Sequence, residues 1–265
     1  MNVSQITSTA NPVVKEVCAL KQKKDRDESG CFAIEGVKML WEAVNSGVAV
    51  KYVFATQRVC EANADLLESA DAEKIYVVND AVMTKLSEWK TPQGLVAVVK
   101  KQEHDLDELL SRERLFALVL DGVSDPGNIG TIVRTSEAAG VDCIIATEGT
   151  ADCFQPKALR ASMGSVFRIP VLENSEKCGI IYKLKQNGVS IVSTSLQGQY
   201  ALGSEVEADK LALVFGNEGA GISSEFEQAA DTLLRLPMKG RVESLNVAVS
   251  AGILMYLINM KNFNS

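Results

Sequence analysis

Three short stretches concentrate residues that could hold a ligand through backbone amides and side-chain amides. The first, Asp121-Gly-Val-Ser-Asp-Pro-Gly-Asn-Ile-Gly130, leads into a helical stretch that carries Arg134. The second is Gly216-Asn-Glu-Gly-Ala-Gly221, and the third is Pro237-Met-Lys-Gly-Arg-Val-Glu-Ser-Leu-Asn246, which opens an apolar helix. Gly216, Gly219 and Gly221 remove side chains where a ligand could approach the backbone closely, although glycines also simply make turns. None of the three is a G-x-G-x-x-G dinucleotide turn or a G-x-x-x-x-G-K-[ST] phosphate loop, so nicotinamide and triphosphate chemistry have little support. Asn128 and Ser244 read as helix N-caps. Arg134 is a surface arginine or an anion clamp. Glu218 is an exposed acid or an acceptor for a ligand, and Asn246 would be costly to bury without a partner. His104 is the only histidine and sits in a charged stretch, so no Ser-His-Asp or Cys-His arrangement can be built elsewhere. An enzyme of this composition would borrow its reactive group from a cofactor and supply orientation and electrostatics itself.

Buried strands must position these loops. Leu115 to Val123 is a near-continuous apolar run, the mark of a strand covered on both faces. Similar runs start at Val141, Arg168, Val189, Leu211 and Leu233. Helical stretches alternate with them: 129–139, 156–166, 178–186 and 224–230. The pattern predicts a parallel α/β sheet, in which ligands bind at the carboxyl ends of strands. Upstream, 38–43 and 80–89 read as helices, with Asp80 as an N-cap, and 51–55, 74–78 and 95–100 as strands of a smaller α/β unit. The division expected is therefore 1–101, a charged linker at 102–114 with room for one helical turn, and 115–265.

The chain has 265 residues, with 27 basic and 34 acidic side chains and a net charge of −7. Residues 1–101 balance at 13 of each sign, so the acidic excess falls entirely in 102–265. A wholly basic nucleic-acid coat is excluded, but a local basic patch is not. The cationic cluster Lys21, Lys23, Lys24 and Arg26, with Lys15 and Lys38 nearby, is the candidate. Six cysteines without a C-x-x-C pair, and one histidine, make a structural zinc site unexpected. The N-terminal residues lack the basic-then-apolar run of a secretory signal, and reduced thiols in a cytoplasmic protein are expected. Leu245 to Met260 is uncharged but only 16 residues long, and it contains Asn246, Ser250 and Asn259. It reads as a buried or interface helix rather than a membrane span.

Asn128-Ile-Gly-Thr-Ile-Val-Arg134-Thr-Ser-Glu-Ala-Ala-Gly140, Leu213-Val-Phe-Gly-Asn-Glu-Gly-Ala-Gly221 and Leu236-Pro-Met-Lys-Gly-Arg-Val-Glu-Ser-Leu-Asn-Val-Ala-Val-Ser250 resemble the three ordered motifs of the SpoU/TrmH-type RNA ribose 2′-O-methyltransferases of the SPOUT superfamily. Asn11-Pro-Val-Val-Lys15, Leu20-Lys-Gln-Lys-Lys-Asp-Arg26 and Gly30-Cys-Phe-Ala-Ile-Glu-Gly36 resemble the RNA-binding domain that precedes the catalytic domain in ribosomal RNA members. The resemblance implies a deep trefoil knot in the C-terminal domain, S-adenosyl-L-methionine as cofactor, RNA as substrate and a homodimer, with no metal and no membrane. Carried over by motif, Gly216, Leu236 and Leu245 contact the cofactor, with Thr194 at the preceding strand end. Asn128, Arg134, Glu218, Ser244 and Asn246 match the polar active-site positions. Two departures, Ser250-Ala251 and the Val242-Glu243 pair before Ser244, could tune substrate choice. Arg134 stands either as a base or, because a guanidinium stays protonated, as a clamp on the phosphate next to the target ribose. The rival readings are an RNA-binding accessory protein with a degenerate site, and a base-methylating RNA methyltransferase of the same superfamily.

Overall fold

The structure is a computed structural model, and it describes residues 2–200, 206 and 208–259. The chain forms two compact units. One runs to Glu103 and includes Phe154–Leu159; the other comprises His104–Cys153 and the chain from Arg160 onward.

In chain order the first unit contains β1 (Val3–Ile6), α1 (Pro12–Ala19), α2 (Lys23–Ser29), β2 (Cys31–Glu35), α3 (Val37–Asn45), β3 (Val50–Thr56), α4 (Gln57–Ala62), α5 (Ala64–Ser69), β4 (Lys74–Val78), α6 (Asp80–Leu86) and β5 (Leu95–Lys100). Its five strands are ordered β1-β4-β3-β5-β2, with β5 antiparallel to both of its neighbours. Leu95–Val99 is buried throughout, as a central strand must be. The sequence pattern predicted α6 with Asp80 as its cap. Asn79 holds that place instead, accepting the Val82 N–H at 3.0 Å, because an N-cap lies one residue outside the helix and Asp80 is already helical.

The chain continues with α7 (Leu106–Leu110), β6 (Leu115–Asp121), α8 (Pro126–Ala138), β7 (Cys143–Thr147), α9 (Pro156–Ser162), a 3-10 turn at Ser165–Phe167, β8 (Val171–Ser175), α10 (Lys177–Gln186), β9 (Ser190–Tyr200), β10 (Lys210–Gly216), α11 (Ser224–Ala229), β11 (Thr232–Arg235) and α12 (Val247–Asn259), all in the second unit except α9, whose residues up to Leu159 belong to the first. The six strands lie in the order β11-β9-β10-β6-β7-β8, and every pair is parallel. All seven residues of β6 are buried, as the apolar run predicted. The stretch expected to be a linker is structural: α7 buries Leu106, Leu109 and Leu110 in the core of this unit. His104 is half-buried, and that burial lowers its pKa.

The apolar helix α12 follows the edge strand β11 but packs on α8 and β10. The α8 contact is close. Gly252 faces the Thr135 methyl, the Ser136 hydroxyl meets Met255 Sδ at 3.4 Å, and Asn259 Nδ2 donates to the Ala139 carbonyl at 2.7 Å. Val249, Ile253 and Tyr256 recur at i, i+4 and i+7 on the opposite face and remain exposed. Met260, the end of the uncharged stretch, lies outside the described residues. Among those residues no helix is long and apolar enough to cross a membrane.

Candidate active site

The three ligand-suited loops follow β6, β10 and β11, at the carboxyl ends of parallel strands. Asp125 begins the construction. The Asp125-Pro126 pair places the cap before a proline at the first helical position, where a missing N–H costs nothing. Asp125 Oδ1 accepts the Asn128 N–H at 2.9 Å, so the cap is Asp125, and the Asn128 side chain is free for another task. Its Nδ2 donates to Glu218 Oε1 at 2.9 Å, and its Oδ1 accepts from Asn246 Nδ2 at 2.9 Å. Asn246 Oδ1 in turn accepts from the Ala248 and Val249 N–H groups, which makes Asn246, and not Ser244, the cap of α12. Ser244 falls two residues too early, because the helix starts at Val247. One chain of hydrogen bonds therefore joins all three motifs.

Glu218 is the acceptor hub. Its carboxylate takes the Ser124 N–H at 3.0 Å, the Ser124 hydroxyl at 2.8 Å and the Asp125 N–H at 3.2 Å, besides the Asn128 amide. Partial burial alone would raise its pKa; the donors at Ser124 and Asn128 outweigh that and bring it down to about 2. A carboxylate so saturated with donors is a weak base, and its Oε1 holds the Asn128 side-chain amide in place. Lying below the ordinary value of 4.5, the folded pKa gives a stabilising contribution that is complete above pH 4.5 and fades as the pH falls toward 2. The urea midpoint of the native chain should therefore exceed that of Glu218→Gln at pH 6, and the gap should shrink steadily below pH 4.5. A gap that does not change with pH would show that the carboxylate's charge does not matter here.

The turn that carries Glu218 is shaped by its neighbours. Asn217 and Gly221 exchange backbone hydrogen bonds at 2.8 and 2.9 Å, and Asn217 Oδ1 accepts from the Gly219 and Ala220 N–H groups. A Cβ on Gly216 would lie 2.1 Å from the Gly221 carbonyl carbon and the Ile222 nitrogen, so only glycine fits. The far end of the turn is anchored by Asp121. This carboxylate, 2% exposed, accepts the Ser223 N–H at 2.6 Å and pairs with Lys177 Nζ at 2.8 Å. Burial would raise the Asp121 pKa; the Lys177 ammonium, followed by the Ser223 N–H, holds it below the ordinary value. Ser124, Asp125, Asn217 and the Asp121–Lys177 pair did not emerge from the motif reading. Only Asp125 had a local sequence signal, the Asp-Pro step.

Beside this network lies a cavity of about 710 Å³, in the size range of small-molecule sites. Thr194, Gly216, Leu236 and Leu245 all line it, and so do Glu218, Ser244 and Asn246. Thr194 Oγ1 donates to the Val214 carbonyl at 3.0 Å, tying β9 to β10 at the cavity edge. Phe215, Leu234, Leu236 and Leu245 offer apolar surface, while Glu227 and Glu243 add carboxylates to the wall. That combination suits a ligand with an aromatic part and a positive charge. Arg134 is not brought into the cavity of its own chain. It is exposed on α8, and among the described residues it makes no hydrogen bond or ion pair.

In the first unit, the cationic cluster divides. Lys21 Nζ pairs with Glu88 at 2.6 Å and donates to the Ser87 carbonyl. Lys24 is 81% exposed beside Glu28, and Lys23 opens α2 half-buried. Arg26 departs from the expectation of a phosphate ligand. It is 6% exposed, and its Nη1 donates to the Leu20 carbonyl at 2.6 Å, closing the turn between α1 and α2. Burial of Val14, Val17 and Leu20 in the same core draws it inward.

A parallel sheet with a small-molecule cavity walled by two Gly- and Asn-bearing loops, and a third loop hydrogen-bonded to both, defines the class as a ligand-dependent α/β enzyme. Residues 115–256 match the SpoU rRNA Methylase family, and the chain belongs to that family. Residues 11–97 match the MRM3-like substrate binding domain. The chain is 36% identical to the 23S rRNA (guanosine(2553)-2′-O)-methyltransferase RlmP of Bacillus subtilis, over 96% of this chain and 98% of that protein. Among solved structures, the AdoMet-bound rRNA methyltransferase from Sinorhizobium meliloti superposes with a TM-score of 0.87 at 33% identity, covering 98% of both chains. The SpoU methyltransferase AviRb from Streptomyces viridochromogenes, in complex with AdoMet, gives 0.87 at 26% identity over 96% of this chain and 99% of that one.

Proposed function

We propose that this chain transfers a methyl group from S-adenosyl-L-methionine to a ribose 2′-hydroxyl of ribosomal RNA. The observation that carries this reading is the cavity walled by the second and third motif loops, with the first loop tied to both of them through the Asn128–Glu218 and Asn128–Asn246 hydrogen bonds. The cavity fits the cofactor in kind, since apolar residues suit an adenine and carboxylates suit a sulfonium and an ammonium. Gly216, Leu236 and Leu245 would hold it, with Thr194 at the edge. The cofactor supplies an activated methyl group. The chain supplies alignment of the ribose oxygen with that methyl, which in favourable cases contributes about 7–11 kcal/mol. In this reading Ser244 and Asn246, which line the cavity, and Asn128, hydrogen-bonded to Asn246, orient the ribose, and Glu218 fixes Asn128.

Arg134 is the phosphate clamp of this scheme. Because it does not face its own cavity, we place it at the cavity of a second copy. The exposed stripe Val249, Ile253 and Tyr256 on α12, packed beside α8, supports a homodimer built on these two helices. The course of the chain, which returns from edge strand β11 to α8, supports the deep trefoil knot expected for this family. An RNA substrate and free thiols support a cytoplasmic location.

The test is to incubate the protein and methyl-labelled cofactor with ribosomal RNA from cells lacking the gene. Label should appear at one nucleotide that resists alkaline cleavage. Label on a base after nuclease digestion would favour the base-methylating alternative, and no cofactor binding by calorimetry would favour the accessory protein.

A further inference from the structure

The first unit exposes a tryptophan on a face that its own fold does not use. Helix α3 buries Leu40 and Ala43 and turns Lys38, Trp41 and Asn45 outward, at i, i+3 and i+7. These three form one stripe. Trp41 is 53% exposed. Single exposed aliphatic residues need no explanation, but an indole between a cation and an amide presents a flat ring, a charge and a hydrogen-bonding group side by side.

Glu35, two residues before α3, joins this stripe to other RNA-suited groups. Its carboxylate accepts the Ser87 hydroxyl at 2.6 Å and the Glu88 and Gln93 N–H groups at 3.2 Å. It thereby fixes the 87–93 loop against the start of α3, and that loop carries Trp89, which is 40% exposed. Gly36 lies between Glu35 and α3 with a φ of 99°, a backbone conformation that favours glycine. Lys21 holds the same loop from the cationic segment through Ser87 and Glu88. Glu35 thus ties the loop that carries one exposed indole to the residues that lead into the helix carrying the other, and Lys21 of the cationic segment is bonded to the same loop.

We propose that Trp41 is a stacking platform for an unpaired RNA base, with Trp89 as its neighbour and Lys38, Lys21 and Lys24 on the flanking phosphates. The inference rests on the reading of RNA as substrate and adds that the segment gripped here is single-stranded. Duplex RNA hides its base faces, whereas a loop base can be splayed onto an aromatic ring. Stacking and phosphate contacts differ in one measurable respect. Stacking of one base changes affinity by about 5- to 160-fold with little dependence on salt, while each lost phosphate contact lowers the salt slope by about 0.7 for a single strand.

The experiment measures binding of full-length Trp41→Leu, Trp41→Phe and Lys38→Ala to ribosomal RNA from cells lacking the gene, between low and moderate salt. Trp41→Leu should weaken binding by about tenfold with an unchanged salt slope, and Trp41→Phe should recover most of it. Lys38→Ala should flatten the slope. Cofactor affinity and melting temperature should not move in any of them, since the substituted side chains are exposed. Equal binding by wild type and Trp41→Leu, or equal losses for Leu and Phe, overturns the platform while leaving the methyltransferase reading intact. A wild type that binds no RNA overturns both.

Discussion

Gly216→Ala loses the cofactor. Calorimetry with S-adenosyl-L-methionine should show affinity lower by about 100-fold, equivalent to ~2.7 kcal/mol. The cause is steric and local. The new methyl would sit 2.1 Å from backbone atoms of Gly221 and Ile222, and backbone cannot turn aside as a side-chain tip can. The Asn217–Gly221 turn must open, which moves the cavity wall and Glu218 together. Such overpacking costs about 1–3 kcal/mol of stability, so the melting temperature should also fall. Gly219→Ala is the control. A Cβ there meets only Asn217 Oδ1, at 3.6 Å, so the fold should be untouched. If Gly219→Ala matched Gly216→Ala in both measurements, the turn's shape would not be what the glycine protects.

Arg134→Lys should bind the cofactor normally and turn over slower by orders of magnitude. Lysine keeps the charge but loses the planar fork that grips a phosphate with two parallel hydrogen bonds. A hybrid experiment identifies which copy's arginine acts. Mixing Arg134→Lys with Gly216→Ala, each inactive alone, gives hybrids in which one sound cavity meets one sound arginine if the residue acts across the dimer. Random exchange should then restore about a quarter of native activity. If the arginine serves its own chain, the mixture stays inactive. The cavity variant Leu236→Asp can take the place of Gly216→Ala in the mixture if the glycine variant does not fold.

The sheet of the second unit was legible because its strands are buried on both faces and their apolar runs survive without any periodicity. The helices between them were legible for the complementary reason. Caps were the weak point. Asn128, Ser244 and Asp80 were each assigned by residue type, and each lost its place to a residue nearer the true boundary: Asp125, Asn246 and Asn79. Many residue types can cap, so type alone cannot decide; the Asp125-Pro126 step could have. Arg26 misled in a similar way, since charge in a cluster says nothing about whether a carbonyl waits in the interior. Part of the cavity lining was legible from the motif resemblance, because Gly216, Leu236 and Leu245 fall within or beside the quoted motifs. The Asp121–Lys177 anchor was not, because it joins groups 56 positions apart that carry no local pattern.

The hydrogen bonds that assemble the site join residues 90 to 118 positions apart, from Asn128 to Glu218 and from Asn246 to Asn128. Closing such long loops is slow, and the set cannot be completed during synthesis until Asn246 has left the ribosome. A nascent chain can complete its first unit, and even β6 and α8, while still unable to take up the methyl donor. Competence should arrive late and all at once, so that half-made copies remain catalytically silent.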